Sequence, residues 1–184
     1  DIAVLKIDGG QLPHITLGHD DALKVGDVVL AIGNPFGVGE SVTMVIVSAL
    51  HRDQLGINTF ENFIQTDAAI NRGNSGGALV DSNGHLVGIN TAILTDPSGQ
   101  NEGNVGVGFA IPVSTMQEVA ESIIKTGEFS RGYIGVSSQN VTPEMARTFN
   151  LPSIDGVIIA NVRGDGPAGQ AGVQVGDILT QVND

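Results

Sequence analysis

The sequence predicts a mainly β fold in two parts, a strand-rich body over residues 1–127 and a smaller unit of mixed α and β structure over 128–184. Three observations carry that prediction. Short runs of β-branched and aliphatic residues recur along the first part, separated by turn residues. Glycine is abundant, 26 of 184 residues, while aromatic residues make up only 4%, which favours many turns and short strands over long helices. One amphipathic helical stretch, from Pro112 to Gly127, stands where the texture of the chain changes.

Taken in order, Ile2 to Ile7 has a strand pattern directly behind Asp1, with no initiator Met and no leader, so the chain is expected to be an internal piece of a longer protein. Asp27 to Gly33 predicts a buried strand that stops at the turn Asn34-Pro35-Phe36-Gly37. Val42 to Leu50 and Asn62 to Thr66 predict two more. Gly77 to Val80 and His85 to Asn90 flank Asp81-Ser82-Asn83-Gly84, whose Asn-Gly step is a strong hairpin signal. A polar loop over 95–104 leads into a strand from Val105 to Ile111. The helix then opens at Pro112 and Ser114, with Met116, Val119, Ala120, Ile123 and Ile124 as its apolar stripe and Gly127 at the C-cap. Beyond Phe129 the chain predicts a short helix from Pro143 to Phe149, a strand from Gly156 to Val162, a turn at Asp165-Gly166-Pro167 and a last strand from Gly176 into a polar end.

Composition narrows the function classes. Hydrophobic residues reach 41%, too many for a disordered tail, and a formal net charge of -12 repels phosphate backbones, which argues against a nucleic-acid partner. There is no cysteine, so disulfides and thiolate metal sites are excluded, and neither a cofactor nor a metal is expected. No apolar run has the length of a membrane span.

One motif carries chemistry. Gly73-Asn74-Ser75-Gly76-Gly77 fits G-x-S-x-G, which in one architecture marks a strand-to-helix elbow. A hairpin follows here instead of a helix. In the other architecture that uses a serine nucleophile, the chymotrypsin-type double β-barrel, the glycines let the N–H groups of Gly73 and Ser75 converge on a developing oxyanion. Read without context, the cluster is also compatible with a plain Gly-rich turn.

At this point Asp1-Ile-Ala-Val-Leu-Lys-Ile, Ala31-Ile-Gly-Asn-Pro-Phe-Gly, Phe63-Ile-Gln-Thr-Asp-Ala-Ala-Ile-Asn-Arg-Gly-Asn-Ser-Gly-Gly-Ala-Leu, Gly88-Ile-Asn-Thr and Gly108-Phe-Ala-Ile-Pro resemble the HtrA (Deg) family of serine proteases. The resemblance runs along the whole chain and includes a PDZ domain entered at Arg131-Gly-Tyr-Ile-Gly. Within the family, Tyr133-Ile134-Gly135-Val136 and Asp165-Gly166-Pro167-Ala168 are most similar to the DegS branch of membrane-anchored periplasmic stress sensors, with DegP and DegQ close behind. The resemblance implies a chymotrypsin-like double β-barrel lacking its N-terminal part, over 1–127, and a truncated α+β PDZ domain over 128–184.

It also implies site residues. Ser75 is the nucleophile and Asp1 the orienting acid, although Asp1 by itself is simply the first residue of a strand. The family's catalytic His lies ahead of that Asp, and His14, His19, His51 and His85 sit in polar turn contexts that fit surface residues, so this chain is expected to be inactive alone. The oxyanion hole comprises Gly73, Asn74 and Ser75. Ala69, six residues before Ser75, implies an uncharged S1 pocket for small or medium aliphatic side chains. Thr91, Ala92 and Ile93 are placed to pair with extended substrate. Asn74, where cleavage-activated proteases carry Asp, implies activation by loop rearrangement coupled to the PDZ domain. There Tyr133, Ile134, Gly135 and Val136 form the loop for a peptide C-terminus, in a groove expected to be half built. Arg52 either relays the PDZ state or is a solvated loop charge. The family's usual Thr-x-Gly-Ile is Thr43-Met44-Val45-Ile46 here, which forbids positive φ at residue 45 and adds bulk.

Together these features imply a periplasmic serine endopeptidase of protein quality control or envelope-stress signalling. Its expected substrates are unfolded or membrane-protein-derived polypeptides, its regulators are peptide C-termini, and its family assembly is a homotrimer. The contrasting class is a PDZ sensor on an inert protease-like body.

Overall fold

A computed structural model describes residues 2–53, 55–68, 70–93 and 106–183, with the side chains of Ala92 and Ile93 left out. Asp1, Ala69 and the expected loop 95–104 with Val105 lie outside the described residues. The chain divides into two compact units, Asp1–Phe129 and Ser130–Asp184.

In the first unit β1 (Val28–Gly33), β2 (Ser41–Arg52), β3 (Phe63–Thr66), β4 (Ala78–Asp81), β5 (Leu86–Ile93) and β6 (Gly108–Pro112) close a barrel in the order β1-β2-β3-β6-β5-β4, and all of its strand pairs are antiparallel. Closure leaves no unpaired edge inside the ring. The apolar character of β1 on both faces now has a cause. Val29 and Ala31 point into the barrel with Val45, Val47, Ile64, Leu79, Val87 and Ala110, whereas Leu30 and Ile32 cover an outer cluster with Val80, Leu86, Val113 and Met116. Val45 is 6% exposed and pairs with Val29, so the extra bulk at this position fills core in an extended strand.

The helix α1 (Val113–Thr126) supplies Val113 and Met116 to that outer cluster and ends at Gly127 with φ 85. Ile124, expected on the apolar stripe, is instead 71% exposed, because the stripe is centred on Val113, Met116 and Val119. Pro112 offers no side-chain cap, and Asp20 from a short 3-10 turn takes that role: Ser114 donates to it from N (2.8 Å) and from Oγ (2.9 Å). Asp20→Ala is therefore expected to cost about 1 kcal/mol in urea denaturation, the usual value of a lost N-cap. A change under a few tenths would show that water replaces this cap.

Three expectations are corrected. Residues 2–7 form no strand among the described residues; Leu5 is 88% exposed, and a β-branched run becomes a strand only where another strand receives its hydrogen bonds. Among the described residues of this segment, only Ile2 packs on a core cluster, that of Phe63, Phe109 and Ile111. His51 lies in β2, not in a turn, with φ 54 at an irregularity of the β2–β3 register between Ala49 and Arg52. The strand predicted from Gly176 shortens to two residues.

In the second unit β7 (Val136–Asn140), β8 (Val157–Val162) and β9 (Ile178–Leu179) form an antiparallel sheet in sequence order. The helix α2 (Pro143–Thr148) is capped by Thr142, whose Oγ1 accepts from Met145 N at 3.2 Å, and α3 (Pro167–Gln170) follows the expected turn. Val141, Ile159 and Ala168 are its buried apolar residues.

Between β2 and β3 one side chain gathers several backbone donors. The Glu61 carboxylate accepts from the amides of Leu55 (2.5 Å), Ile57 (2.6 Å) and Asn58 (2.9 Å). The Asn58 amide above all, opposed by desolvation and helped by the amides of Leu55, Ile57 and Gly56, holds the carboxyl below its usual range. A depressed pKa contributes stability above the unfolded carboxylate value, and that contribution is lost as pH falls through the lowered folded value. The stability gap between wild type and Glu61→Gln should therefore narrow on acidification from pH 7 towards about pH 3. A gap that stayed constant would contradict the bonding pattern.

Candidate active site

The loop from Thr66 to β4 is built to expose one serine. Ala68 and Ile70 anchor it in the barrel core. Phe36 N donates to Arg72 O (2.7 Å) and Asn34 N to Gly73 O (3.2 Å), so the turn after β1 is laid against the loop. Gly73 has φ +100, and a Cβ there would stand 2.1 Å from Asn34 O. At Gly77 a Cβ would stand 2.0 Å from Ile32 O. Both glycines are thus required by close backbone approach.

On the far side the loop is tied to β5 by a reciprocal pair, Gly76 N to Asn90 O (2.8 Å) and Asn90 N to Gly77 O (2.9 Å). The Asn90 side chain, 2% exposed, donates to Ile32 O (3.2 Å) and to Ala78 O (3.1 Å), linking β1, β4 and β5 beneath the serine. Sequence reasoning missed this role. Its signal was an amide inside an apolar strand, whose donors must find partners once buried.

Ser75 itself is exposed, and its Oγ donates to Thr91 O at 3.0 Å. Among the described residues, neither the Gly73 nor the Ser75 N–H donates to a protein acceptor, whereas the Asn74 N–H is turned to Asn71 O (3.0 Å). The structure thus joins Ser75 Oγ to Thr91 O and leaves the Gly73 and Ser75 N–H groups without an acceptor among the described residues. Asn74, counted with the oxyanion hole from sequence, points its amide elsewhere. No histidine joins them among the described residues: His51 Nδ1 is 3.1 Å from Asn62 Oδ1, His85 Nδ1 is 3.4 Å from Asp81 Oδ2, and His14 and His19 are exposed. Ala92 and Ile93 lie on β5 after Thr91.

Arg52 ends β2, and its Nε donates to Gln65 Oε1 at 2.8 Å across to β3. In the second unit Tyr133 to Val136 lead into β7. The carbonyls of Ile134 and Gly135 accept from Ala168 N (2.9 Å) and Arg163 N (2.8 Å). Gly135 has φ +81, and a Cβ there would stand 3.3 Å from Gly166 Cα. With its carbonyls engaged, the segment keeps the N–H groups of Tyr133, Ile134 and Gly135 without an acceptor among the described residues, the polarity that suits an anion. Beside it Arg163 holds Asp165 in a two-pronged pair of 3.1 and 2.9 Å, which lowers the Asp165 carboxyl from its usual range.

Known proteins are similar to the chain along its whole length. Residues 1–89 match the family described as trypsin-like peptidase domain, and residues 132–184 match the PDZ domain family. The chain is 47% identical over 184 residues to "Periplasmic serine endoprotease DegP" of Salmonella typhimurium, covering 100% of this chain and 38% of that protein. It is 48% identical over 185 residues to "Probable periplasmic serine endoprotease DegP-like" of Brucella suis, with 100% and 35% covered. Among solved structures, "HtrA-type protease AlgW with tripeptide" superposes with a TM-score of 0.83 at 54% identity, covering 94% of this chain and 56% of that one. A serine endoprotease from Yersinia pestis gives a TM-score of 0.65 at 42% identity, with 93% and 52% covered.

Proposed function

Because the chain belongs to the HtrA family of serine proteases, we propose that it forms part of a periplasmic serine endopeptidase that cleaves extended or unfolded polypeptide under control of peptide C-termini. It spans 38% of the length of a curated relative, so the activity of the whole protein is inferred from the site. The observation that carries the reading is an exposed Ser75 hydroxyl flanked by two N–H donors with no protein acceptor among the described residues. In the mechanism these support, Ser75 Oγ attacks the scissile carbonyl and passes its proton to a histidine oriented by Asp1. The oxygen of that carbonyl, now negative, is received by Gly73 N–H and Ser75 N–H; the amine leaves with the proton and water releases the acyl group.

Ala69 is assigned to the floor of the S1 pocket, Thr91, Ala92 and Ile93 to backbone pairing with the substrate, and Tyr133, Ile134, Gly135 and Val136 to the peptide carboxylate. The domains are assigned as 1–127 and 128–184, and the working assembly as a homotrimer. A stress-signalling role of the DegS type, on membrane-protein-derived peptides, is proposed ahead of general quality control on the resemblance of Tyr133-Ile134-Gly135-Val136 and Asp165-Gly166-Pro167-Ala168 to that branch. No described helix is long and apolar enough to cross a membrane. One observation favours a second reading, an inert body carrying a PDZ sensor: the Ser75 hydroxyl is engaged, donating to Thr91 O.

A cleavage-site survey of the full-length protein on an unfolded substrate, with and without a C-terminal peptide, decides among these. Val and Ala should dominate at P1, because an unpaired charge in an apolar pocket is costly. Lys or Arg at P1 would refute the pocket, and peptide binding without any cleavage would select the sensor. Arg52→Ala in the same assay should lower the peptide-stimulated rate while changing peptide affinity by no more than a coupling of about 1 to 3 kcal/mol. Unchanged rates would return Arg52 to a surface charge.

A further inference from the structure

Strands β1 and β4 pair through Val29 with Asp81, Leu30 with Val80 and Ala31 with Leu79, and the ladder stops there. One step further Ile32 would face Ala78. The carbonyls of these two residues instead accept from a single group, Nδ2 of the buried Asn90, at 3.2 and 3.1 Å. Beyond this point β1 runs into the turn over 34–37, and the chain ahead of β4 is the loop that carries Ser75. The Asn90 amide therefore stands in the fork where that loop begins. Each residue from Ser75 to Ala78 is tied to Asn90 or to the residue after it: Ser75 Oγ donates to Thr91 O (3.0 Å), Gly76 N to Asn90 O (2.8 Å), Asn90 N to Gly77 O (2.9 Å), and Asn90 Nδ2 to Ala78 O. Gly77 also lies against the other carbonyl of the fork, since a Cβ on it would stand 2.0 Å from Ile32 O. Strand β5 itself is held along its other edge by β6, from Gly88 to Ile93. If the amide lets go, the loop yields before β5 does.

We propose that Asn90 is a positioning residue for the nucleophile assigned to Ser75: its carboxamide fixes the fork between β1 and β4, and through Gly77 and Ala78 the height of Ser75 over β5. The role rests on the protease reading above, and it gives the Asn90 side chain no contact with substrate. Two carbonyl acceptors need two donors on one atom, which an amide supplies and a carboxylate or an aliphatic side chain of similar size does not. Without them both carbonyls lose a partner, and the fork must shift or admit water. A hydroxyl displaced by a fraction of an ångström loses its line to the scissile carbonyl, an effect on the chemical step more than on substrate binding.

The test uses the full-length protein with Asn90→Leu, which keeps the volume and removes both donors, with Asn90→Asp, and with Val113→Ala as a truncation of a buried side chain that makes none of these bonds. In Asn90→Leu kcat should fall about ten-fold or more with KM within about two-fold of wild type, and labelling of Ser75 by a fluorophosphonate should slow in step. Asn90→Asp separates hydrogen bonding from packing. It keeps the shape of the amide, but the ionised carboxylate brings no donor to the two carbonyl oxygens, whereas its neutral form recovers one O–H. Burial raises the pKa of such a carboxyl, so the ratio of its kcat to that of wild type should climb as pH falls through the raised value. Ile32, Gly76, Gly77 and Ala78, which bond to Asn90, carry no titrating side chain, so the climb would belong to the introduced carboxyl. Asn90→Asp decides the matter even if Asn90→Leu does not fold. An unaltered kcat in Asn90→Leu, a pH-independent ratio in Asn90→Asp, or a kcat loss matched by Val113→Ala at equal loss of Tm would each overturn the proposal. A wild type that binds C-terminal peptide yet neither cleaves nor takes the label would instead overturn the protease reading, and this role with it.

Discussion

Ser75→Ala in the full-length protein is expected to lower kcat on the order of a million-fold, the loss typical when a serine-protease nucleophile is removed. The expected effect is confined to chemistry because of how the hydroxyl is placed. Ser75 is exposed, its Oγ donates to Thr91 O, and the loop around it is held by other contacts: Ala68 and Ile70 in the core, Gly76 and Gly77 on Asn90. A neutral hydrogen bond at the surface contributes at most about 1 kcal/mol, so the unfolding midpoint should barely move. Peptide affinity of the second unit should also stay as it was. A Ser75→Ala protein that kept even about 1% of the rate would mean that another group attacks the peptide bond, and the assignment of Ser75 would fail.

How much of this could be read from sequence differs by the kind of interaction. The strands of the barrel were legible because their residues repeat: Val29 and Ala31 inward, Leu30 and Ile32 outward against α1, and the Asn83-Gly84 step closing β4 on β5. The tight loop around Ser75 was legible for a different reason, since a run of glycines around one serine has few physical uses. Residues 2–7 misled because a strand needs a neighbour, and side-chain pattern does not report one. Asn90 and Glu61 were illegible as supports because each binds backbone groups, and backbone donors look identical in every residue. Val45 shows the opposite case, an apparent obstacle in the sequence that turns out to be core. His51 shows a third, a non-glycine residue at φ 54 where the register shifts and Arg52 is aimed across to Gln65.

Gly73→Ala should be severely damaging although it adds a single methyl group to the loop, and a comparison with Gly76→Ala isolates why. Both residues have positive φ, +100 and +87, so both variants incur backbone strain of about 1 kcal/mol. At Gly76 nothing lies within 4 Å of the new Cβ, and strain is the whole cost. At Gly73 the Cβ would stand 2.1 Å from Asn34 O and 3.0 Å from Phe36 N, both backbone atoms that cannot swing aside. Either the turn after β1 or the Gly73 peptide must move, which adds about 1 to 3 kcal/mol of overpacking. Movement of that peptide also carries its N–H away from the oxyanion position proposed for it, and loss of one such donor lowers kcat by about 10²- to 10³-fold. Urea denaturation of the two variants, together with kcat for each in the full-length protein, separates the terms. Gly73→Ala should be the less stable and much the slower of the two. If its stability and rate matched those of Gly76→Ala, the close approach of Asn34 to Gly73 would have no part in shaping the oxyanion site.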